Sequence, residues 1–566
     1  MKTIRALLAL LALSVAAPVL AASQDVAWDG HVADYLVATF KANPSFAVYS
    51  GLHEYDGQLP DFSATGLARE TARLEAARKA TAAFDPAQLD GARRIEREYL
   101  LSVIDKSLFW LVEAKAPQGN PAWYFDAIDP DVYLSKPYAP LEVRMKAFIA
   151  YLNALPQALE SIRANLRTPL AAPIVNYSVN AFGGYAEFFN GEAAAVFKDV
   201  KDPALQAELA AALKRAGAAS HSLAEWFESQ RATATQDYAL GPKLFSRMLA
   251  ATEQVDVPLD RLEAVGRADL ERNLKALRAA CAQFAPGASL PDCVGRVSAQ
   301  KPKDGPVAEA RRQLPDLRAF VVAKDLVSIP GTEEALVEQA PPYNAQNFAY
   351  ITIPGPYEKN LPSVYYIAPP DPRWSKEEQE KYIPGVNDLL FTSVHEVWPG
   401  HFLQFLHSNR NKSSIGRLYV GYAYAEGWAH YTEEMMWDAG LGAGDHEKHI
   451  GQIVQALKRN VRYLSAIGLH TRGMTVEESE RMFLESAFLD PGNARQQALR
   501  GTYDPAYLNY TLGKLMIMKL RDDWVAAHGG GPKALKAFHD QFLSYGGPPL
   551  PMVRRLMLGD AAGSAL

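Results

Sequence analysis

Val386-Asn-Asp-Leu-Leu-Phe391 runs into Ser393-Val-His395-Glu396-Val-Trp-Pro399-Gly400-His401-Phe-Leu-Gln404, and the reading of this stretch decides what the rest of the chain must build. The apolar spacing ahead of His395 predicts a helix. A His-Glu pair in an apolar helix is costly unless its members are paired or bound to a metal. A zinc hydrolase needs such a pair: neutral imidazoles as ligands, a position left for water, and a carboxylate beside it to take the water's proton. In the familiar His-Glu-x-x-His arrangement the two His share one helix face. Here His401 comes six residues after His395, which on an ideal helix turns it about 120° away. Pro399-Gly400 fills the gap. Pro lacks an N–H and clashes with the carbonyl four residues back, that of His395, while Gly tolerates unusual dihedrals. A bulged or broken turn is therefore expected to bring both imidazoles to one ion.

A third ligand is expected downstream, where residues 422–436 read Tyr-Ala-Tyr-Ala-Glu426-Gly-Trp-Ala-His430-Tyr-Thr-Glu433-Glu434-Met-Met. Glu426, His430 and Glu433 stand at i, i+4 and i+7, on one face of a predicted helix. Glu426 is the expected ligand, completing a two-His, one-Glu site. Glu433 or His430 would orient it or another ligand from behind. His53-Glu54 near the start has no second His at ligand spacing and reads as a decoy.

Long helical patterns dominate the remainder. Residues 66–83 carry apolar positions at helical spacing. Asp202-Pro203 opens a helix to about Arg231 as N-cap and first-turn Pro, and Pro258 opens another to about Phe284. Ser375-x-x-Glu378 and Thr475-x-x-Glu478 are capping-box patterns. Strand signals are confined to Phe348-Ala-Tyr-Ile-Thr-Ile353 and Ser363-Val-Tyr-Tyr-Ile367, a small hairpin or part of a small sheet. Gln300 to Pro306 reads as a polar linker, and Pro341-Pro342 as a break. The expected organisation is a signal segment over 1–21, a helical part over 22–335, and a metal-site-bearing helical part with the small β element over 336–566, the last two forming one continuous fold.

The signal segment is read from Lys2 and Arg5, the apolar run Ala6 to Ala17, and the small residues of Val19-Leu20-Ala21, with cleavage after Ala21. The run is shorter than the roughly 20 residues of a membrane span, and no Cys stands near the cleavage point. An exported protein, periplasmic or secreted, is expected. At 48% hydrophobic and 22% charged residues the chain can bury a large core. The formal net charge of −6 becomes about −8 once Lys2 and Arg5 are removed. That excess repels a phosphate backbone, so nucleic acid is excluded as the expected partner. Cys281 and Cys293 are either one local disulfide, tying a helix end to the following loop, or two buried thiols.

With these residues in place, the chain resembles the bacterial family catalogued as domain of unknown function 885. The family's signature, His-Glu-x-x-Pro-Gly-His followed by Glu-Gly-Trp-Ala, stands at His395–His401 and Glu426–Ala429. Gly51-Leu-His-Glu-Tyr-Asp-Gly-Gln-Leu-Pro-Asp61 resembles the family's N-terminal block, and Pro505-Ala-Tyr-Leu-Asn-Tyr510-Thr-Leu-Gly513 its C-terminal segment more loosely. The family is similar to the gluzincin-type helical zinc carboxypeptidases and oligopeptidases. The resemblance implies a mainly α, large helical zinc-peptidase-like fold with a deep cleft and a small β element. It implies one Zn2+ per chain held by His395, His401 and Glu426, with Glu396 as general base. Many relatives carry a second His where this chain has Phe402, so that position is not a needed ligand. Asn509-Tyr510-Thr511 keeps the tyrosine of the family's Ser-Tyr-Lys and leaves no Lys to act there.

The expected function is that of an exported metallopeptidase, a hydrolase cleaving a peptide or small amide by metal-activated water. Tyr510 is the expected donor to the oxyanion, Tyr507 the second candidate, and Arg500 the expected partner of a substrate carboxylate. Two alternatives stay open: a metal-containing periplasmic binding protein without turnover, and a zinc hydrolase of a non-peptide amide or ester. A serine hydrolase lacks its Gly-x-Ser-x-Gly elbow. Nothing in the sequence sets an oligomeric state.

Overall fold

The computed structural model describes residues 24–341, 348–559 and 563–566. The signal-segment reading and Pro342 lie outside them. Numbering only helices of eight residues or more, the first part of the chain forms α1 (24–42), α2 (Ala64–Ala83), α3 (Gly91–Leu108), α4 (Leu141–Asn165), α5 (Ala172–Asn190), α6 (Pro203–Gln230), α7 (Gly241–Glu253), α8 (Leu259–Phe284), α9 (Leu290–Ser298) and α10 (Gly305–Ala323). Strands β1 (Ala335–Gln339), β2 (Ala349–Thr352) and β3 (Ser363–Ile367) follow. The chain then forms α11 (Val386–Glu396), α12 (His401–Ser408), α13 (Tyr422–Asp438), α14 (His446–Thr471), α15 (Val476–Ser486), α16 (Pro491–Tyr503), α17 (Asn509–Ala527), α18 (Gly531–Ser544) and α19 (Leu550–Leu558). The protein is mainly α with one small sheet. No described helix is long and apolar enough to cross a membrane.

The helix starts follow local chemistry. Asp202 accepts from the N–H groups of Ala204 and Leu205 and sets the start of α6. Ser375 and Thr475 each complete a capping box with Glu378 and Glu478. The polar stretch read as a linker is shorter than expected: α10 opens at Gly305 with Pro306 in its first turn, where a missing N–H costs nothing.

The sheet has the order β1-β3-β2. The expected hairpin is present as the antiparallel β2–β3 pair, and β3 alternates buried Ser363, Tyr365 and Ile367 with half-buried Val364 and Tyr366. The sequence reading missed β1, which pairs parallel to β3. Only Val337 of its residues is buried, so its apolar alternation is too weak to announce a strand.

Four apolar clusters hold the molecule together. One joins α4, α5 and α6 through Phe148, Phe182 and Phe227. A second joins α1, α2 and α3 to Ile415 and to Met552 of α19. A third packs α8, α9, α14, α15 and α16 around Leu277, Val461 and Phe483. The largest runs from Phe245 of α7 through Tyr365 and Leu389 to Trp428, Leu512 and Phe542. Among the described residues, three of these clusters draw from both sides of position 335. Cys281 and Cys293 form a disulfide. It joins the last turn of α8 to α9, so the second cysteine lies on a helix and not on the loop expected from sequence.

Candidate metal centre

The interruption between the two His is where the sequence placed it. Helix α11 ends at Glu396 and α12 begins at His401. The Trp398 N–H reaches back five residues to the Ser393 carbonyl, and the Gly400 N–H six residues to that of Val394, both wider spans than a helical turn allows. Gly400 is required here. A Cβ on it would lie 1.8 Å from the His395 carbonyl oxygen. The Pro399 carbonyl is held by the indole N–H of Trp428 at 2.9 Å, which ties the interruption to α13. The two imidazoles consequently face one point, with ring centres 4.8 Å apart and planes at 85°.

Glu426 enters from α13. Its residue pair Glu426-Gly427 sits where α13 crosses α17 almost backbone to backbone: a Cβ on Gly427 would lie 2.5 Å from the Cα of Gly513, and one on Gly513 would lie 2.0 Å from the Ala423 carbonyl. This crossing explains both glycines of the motif segments. Glu426 Oε2 lies 3.3 Å from Nε2 of His395 and 3.3 Å from Nε2 of His401. One ligand atom from each of the three side chains falls within 4.8 Å of the others, so the group can hold a metal ion.

The donor set fits zinc. Tetrahedral ligands at ~2.0–2.1 Å from Zn2+ stand about 3.3–3.4 Å from one another, and two imidazole nitrogens with one carboxylate oxygen are its ordinary partners. Glu426 Oε2 is buried and makes no well-formed hydrogen bond, an orphaned charge that a cation would satisfy. Against the upward push of burial, the two imidazoles hold the Glu426 carboxyl well below the usual carboxylate range.

The tautomer of His395 follows from its neighbours. Its Nδ1 lies 2.7 Å from Glu433 Oε1. A carboxylate only accepts, so its contact places a proton on Nδ1 and leaves Nε2, the nitrogen beside Glu426, as the one that would face a metal. Glu433 is fully buried and gripped by Arg459 of α14, Nη2 to Oε1 at 3.0 Å and Nη1 to Oε2 at 3.2 Å. Of the two candidates for orienting a ligand, the structure places Glu433 against His395. His430 is fully buried, 3.5 Å from Glu433 Oε2. Burial and the nearby Lys514 push it down to about 3, so it is neutral.

Residues 44–557 match the family described as bacterial protein of unknown function (DUF885). The chain belongs to that family. Among solved structures, two proteins share this DUF885 chain's fold nearly end to end. One, a candidate lipoprotein of unknown function from Shewanella oneidensis, is 23% identical with a TM-score of 0.77, covering 94% of this chain and 99% of its own. The other, a candidate lipoprotein from Colwellia psychrerythraea, is 17% identical with a TM-score of 0.78, covering 93% and 97%. An M32 carboxypeptidase from Deinococcus radiodurans R1 aligns at 13% identity over 88% of this chain and 96% of its own, with a TM-score of 0.34, too low to carry an argument. No curated protein matches the chain.

In this DUF885 protein the His395–His401–Glu426 group opens onto a cleft of about 4080 Å³. The first part of the chain contributes Trp123, Asp126 and Tyr177 to its walls, and the later part Glu396, Tyr422 and Tyr510. Glu396 is buried at the cleft floor. Burial pushes its carboxyl up to about 7, Glu426 adding to the rise and His401 opposing it. Phe402 is fully buried and packs edge-on against Trp398 at 5.0 Å.

Tyr510 lines the cleft, its ring stacked on that of His395 at 6.3 Å. Tyr507 does not join it. That side chain is wholly buried and its hydroxyl donates to Ser465 at 2.8 Å, because Gly501 leaves room for the ring behind α16. Arg500 reaches the cleft but is already engaged, Nε with Asp504 at 3.0 Å and Nη2 with the Tyr422 hydroxyl at 3.0 Å. Sequence reasoning missed Arg459 and Arg462. Both lie on α14, and their spacing from Lys458 looks like any basic helix face until the fold turns that face toward the site. His53, the decoy, pairs with Asp56 at 3.0 Å and Glu358 at 3.2 Å and stacks on Tyr138 at 3.6 Å.

Proposed function

We propose that the protein is an exported zinc-dependent peptidase that uses His395, His401 and Glu426 to hold the metal and Glu396 as its base. The convergence of the three ligand atoms around the orphaned Glu426 oxygen, with a buried carboxyl beside them, carries this reading. A zinc ion bound there would supply a Lewis acid and a water of lowered pKa. The protein's own contribution is positional. Glu433 fixes the ring of His395, and Arg459 keeps Glu433 ionised where burial alone would neutralise it. Glu396, with its carboxyl near neutrality, is suited to take a proton from water at one carboxylate oxygen and return it to the leaving amine. Tyr510 stands on the cleft side of His395, where a phenol could donate to the developing oxyanion.

The sheet supports a peptide substrate. β2 is an edge strand, and Phe348, Ala349, Tyr350 and Ile351 line the cleft, so an extended peptide can pair with it. Export is supported by the disulfide, which belongs to an oxidising compartment, by the leader pattern of the first residues, and by the lipoprotein description of the two structural relatives.

Glu396→Gln in the zinc-loaded protein separates this reading from a metal-containing binding protein. Peptide cleavage should fall by at least ~10³-fold, at the upper part of the range for a proton-transfer group, with zinc content unchanged. A variant that keeps its activity would exclude Glu396 as the base.

A further inference from the structure

Lys458 and Arg462 stand one turn apart on α14 and both line the cleft. The cations around them are neutralised: Arg459 by Glu433 and Arg500 by Asp504. Lys458 feels Asp388 and Glu433 only at longer range, and Arg462 has no carboxylate paired with it. Among the described residues Lys458 makes no hydrogen bond or ion pair. Arg462 is 8% exposed, and its single hydrogen bond is from Nε to the neutral amide of Gln497 at 2.7 Å. Its guanidinium lies 4.8 Å from the centre of the Tyr510 ring, the ring that stacks on His395. One aromatic ring therefore separates an uncompensated buried guanidinium from the first metal ligand. Burial lowers both cations, Lys458 to about 7, and the neighbouring arginines lower them further, against a smaller upward pull of Glu433 and Asp388 on Lys458 and of Tyr510 and Tyr422 on Arg462. Buried charge without a counter-charge is expensive, and an anion entering the cleft would relieve it.

Resting on the peptidase reading, we infer that Arg462 and Lys458 form a carboxylate subsite that selects substrates bearing a negative charge close to the scissile bond. Arg462 offers the planar fork that matches a carboxylate, and Lys458 adds a mobile second donor. Arg500, the residue expected for this task from sequence, holds Tyr422 and Asp504 in place. The carboxylate can be the end of a peptide or an acidic side chain near it, and the two are separable by experiment.

The test measures binding of three N-benzoylated dipeptides by calorimetry to zinc-loaded Glu396→Gln protein, with cleavage by the unsubstituted protein alongside. The first has a free C-terminus and neutral side chains, the second is its C-terminal amide, and the third is an amide with Glu as the last residue. The inference expects at least one carboxylate form to bind ten-fold or more tighter than the neutral amide. Adding Arg462→Gln should collapse that ratio toward one without changing the neutral amide's binding, and Arg462→Lys should restore part of it. Preference for the free C-terminus identifies an enzyme of chain ends, and preference for the Glu amide identifies a side-chain subsite. Equal binding of all three, no binding of any, or a preference that survives Arg462→Gln with Lys458→Met overturns the subsite. Carboxylate-selective binding without cleavage of any peptide supports the subsite and counts against the peptidase reading.

Discussion

Glu433 serves two partners at once. It fixes the proton of His395 on Nδ1 and neutralises Arg459, both side chains of that ion pair being buried. Replacing it by Ala strands a buried guanidinium, a loss of ~3–5 kcal/mol of stability, and should weaken zinc binding by roughly 10–100-fold. Both are measurable, by denaturant unfolding and by competition with a chelator. Full zinc affinity in a folded Glu433→Ala protein would show that His395 needs no such support. The role of Glu433 was half legible in sequence: its i+7 spacing from Glu426 put it on the right face, but which of Glu433 and His430 touches a ligand depends on where α14 brings Arg459.

His53 supplies a second test at this scale, from a side chain that does not line the cleft. Asp56 and Glu358 outweigh burial and raise it to about 9, above its unfolded value near 6.5. A raised His contributes stability that is fully present below the unfolded pKa and is lost as pH rises through the folded one. His53→Gln should therefore lower the melting temperature most at pH 6, less at pH 8, and hardly at all above pH 9.5. The side chain is a quarter exposed, so solvent limits the effect to ~1 kcal/mol. A pH-independent difference would mean that the stacking on Tyr138, and not the charge, is what His53 contributes.

At the scale of elements, the site depends on two places where backbones nearly touch. Gly400 lets the chain double back onto the His395 carbonyl, and the Gly427–Gly513 pair lets α13 and α17 cross closely enough to deliver Glu426. Gly400→Ala must move the interruption by an ångström or more. Val397, Trp398 and Phe402 of the largest apolar cluster flank this turn, so some stability should be lost as well, and in protein that keeps its helical circular dichroism zinc content should fall below a tenth of that of the unsubstituted chain. Normal metal content in Gly400→Ala would show that the two His can converge without this turn. Pro399-Gly400 announced the interruption because those residues are poor helix formers with a stated reason to be there. The Gly427–Gly513 crossing was not legible, because a glycine's need for space is set by a helix 86 positions away in the chain. β1 escaped for the opposite reason, having too little burial on either face to leave a pattern.

For the whole molecule, the cleft wall combines residues from both parts of the chain, and a polar network stands behind it. Arg272 of α8 reaches Glu434 of α13 at 2.8 Å, Lys514 of α17 contacts the same carboxylate, and Asn460 of α14 donates to Asp269 of α8 at 2.7 Å. Long helix patterns made the mainly α class readable from period alone. The closeness of Arg459, Arg462 and Arg500 to one tyrosine was not readable, since helical period says which residues share a face and not which face meets the cleft.

The central claim is that His395, His401 and Glu426 hold one zinc ion, and elemental analysis of the purified mature protein beside His395→Ala tests it most directly. The account predicts about one zinc per chain, lost in the variant while the helical circular dichroism is kept. No metal in either protein after zinc is supplied, or equal zinc in both, would contradict it.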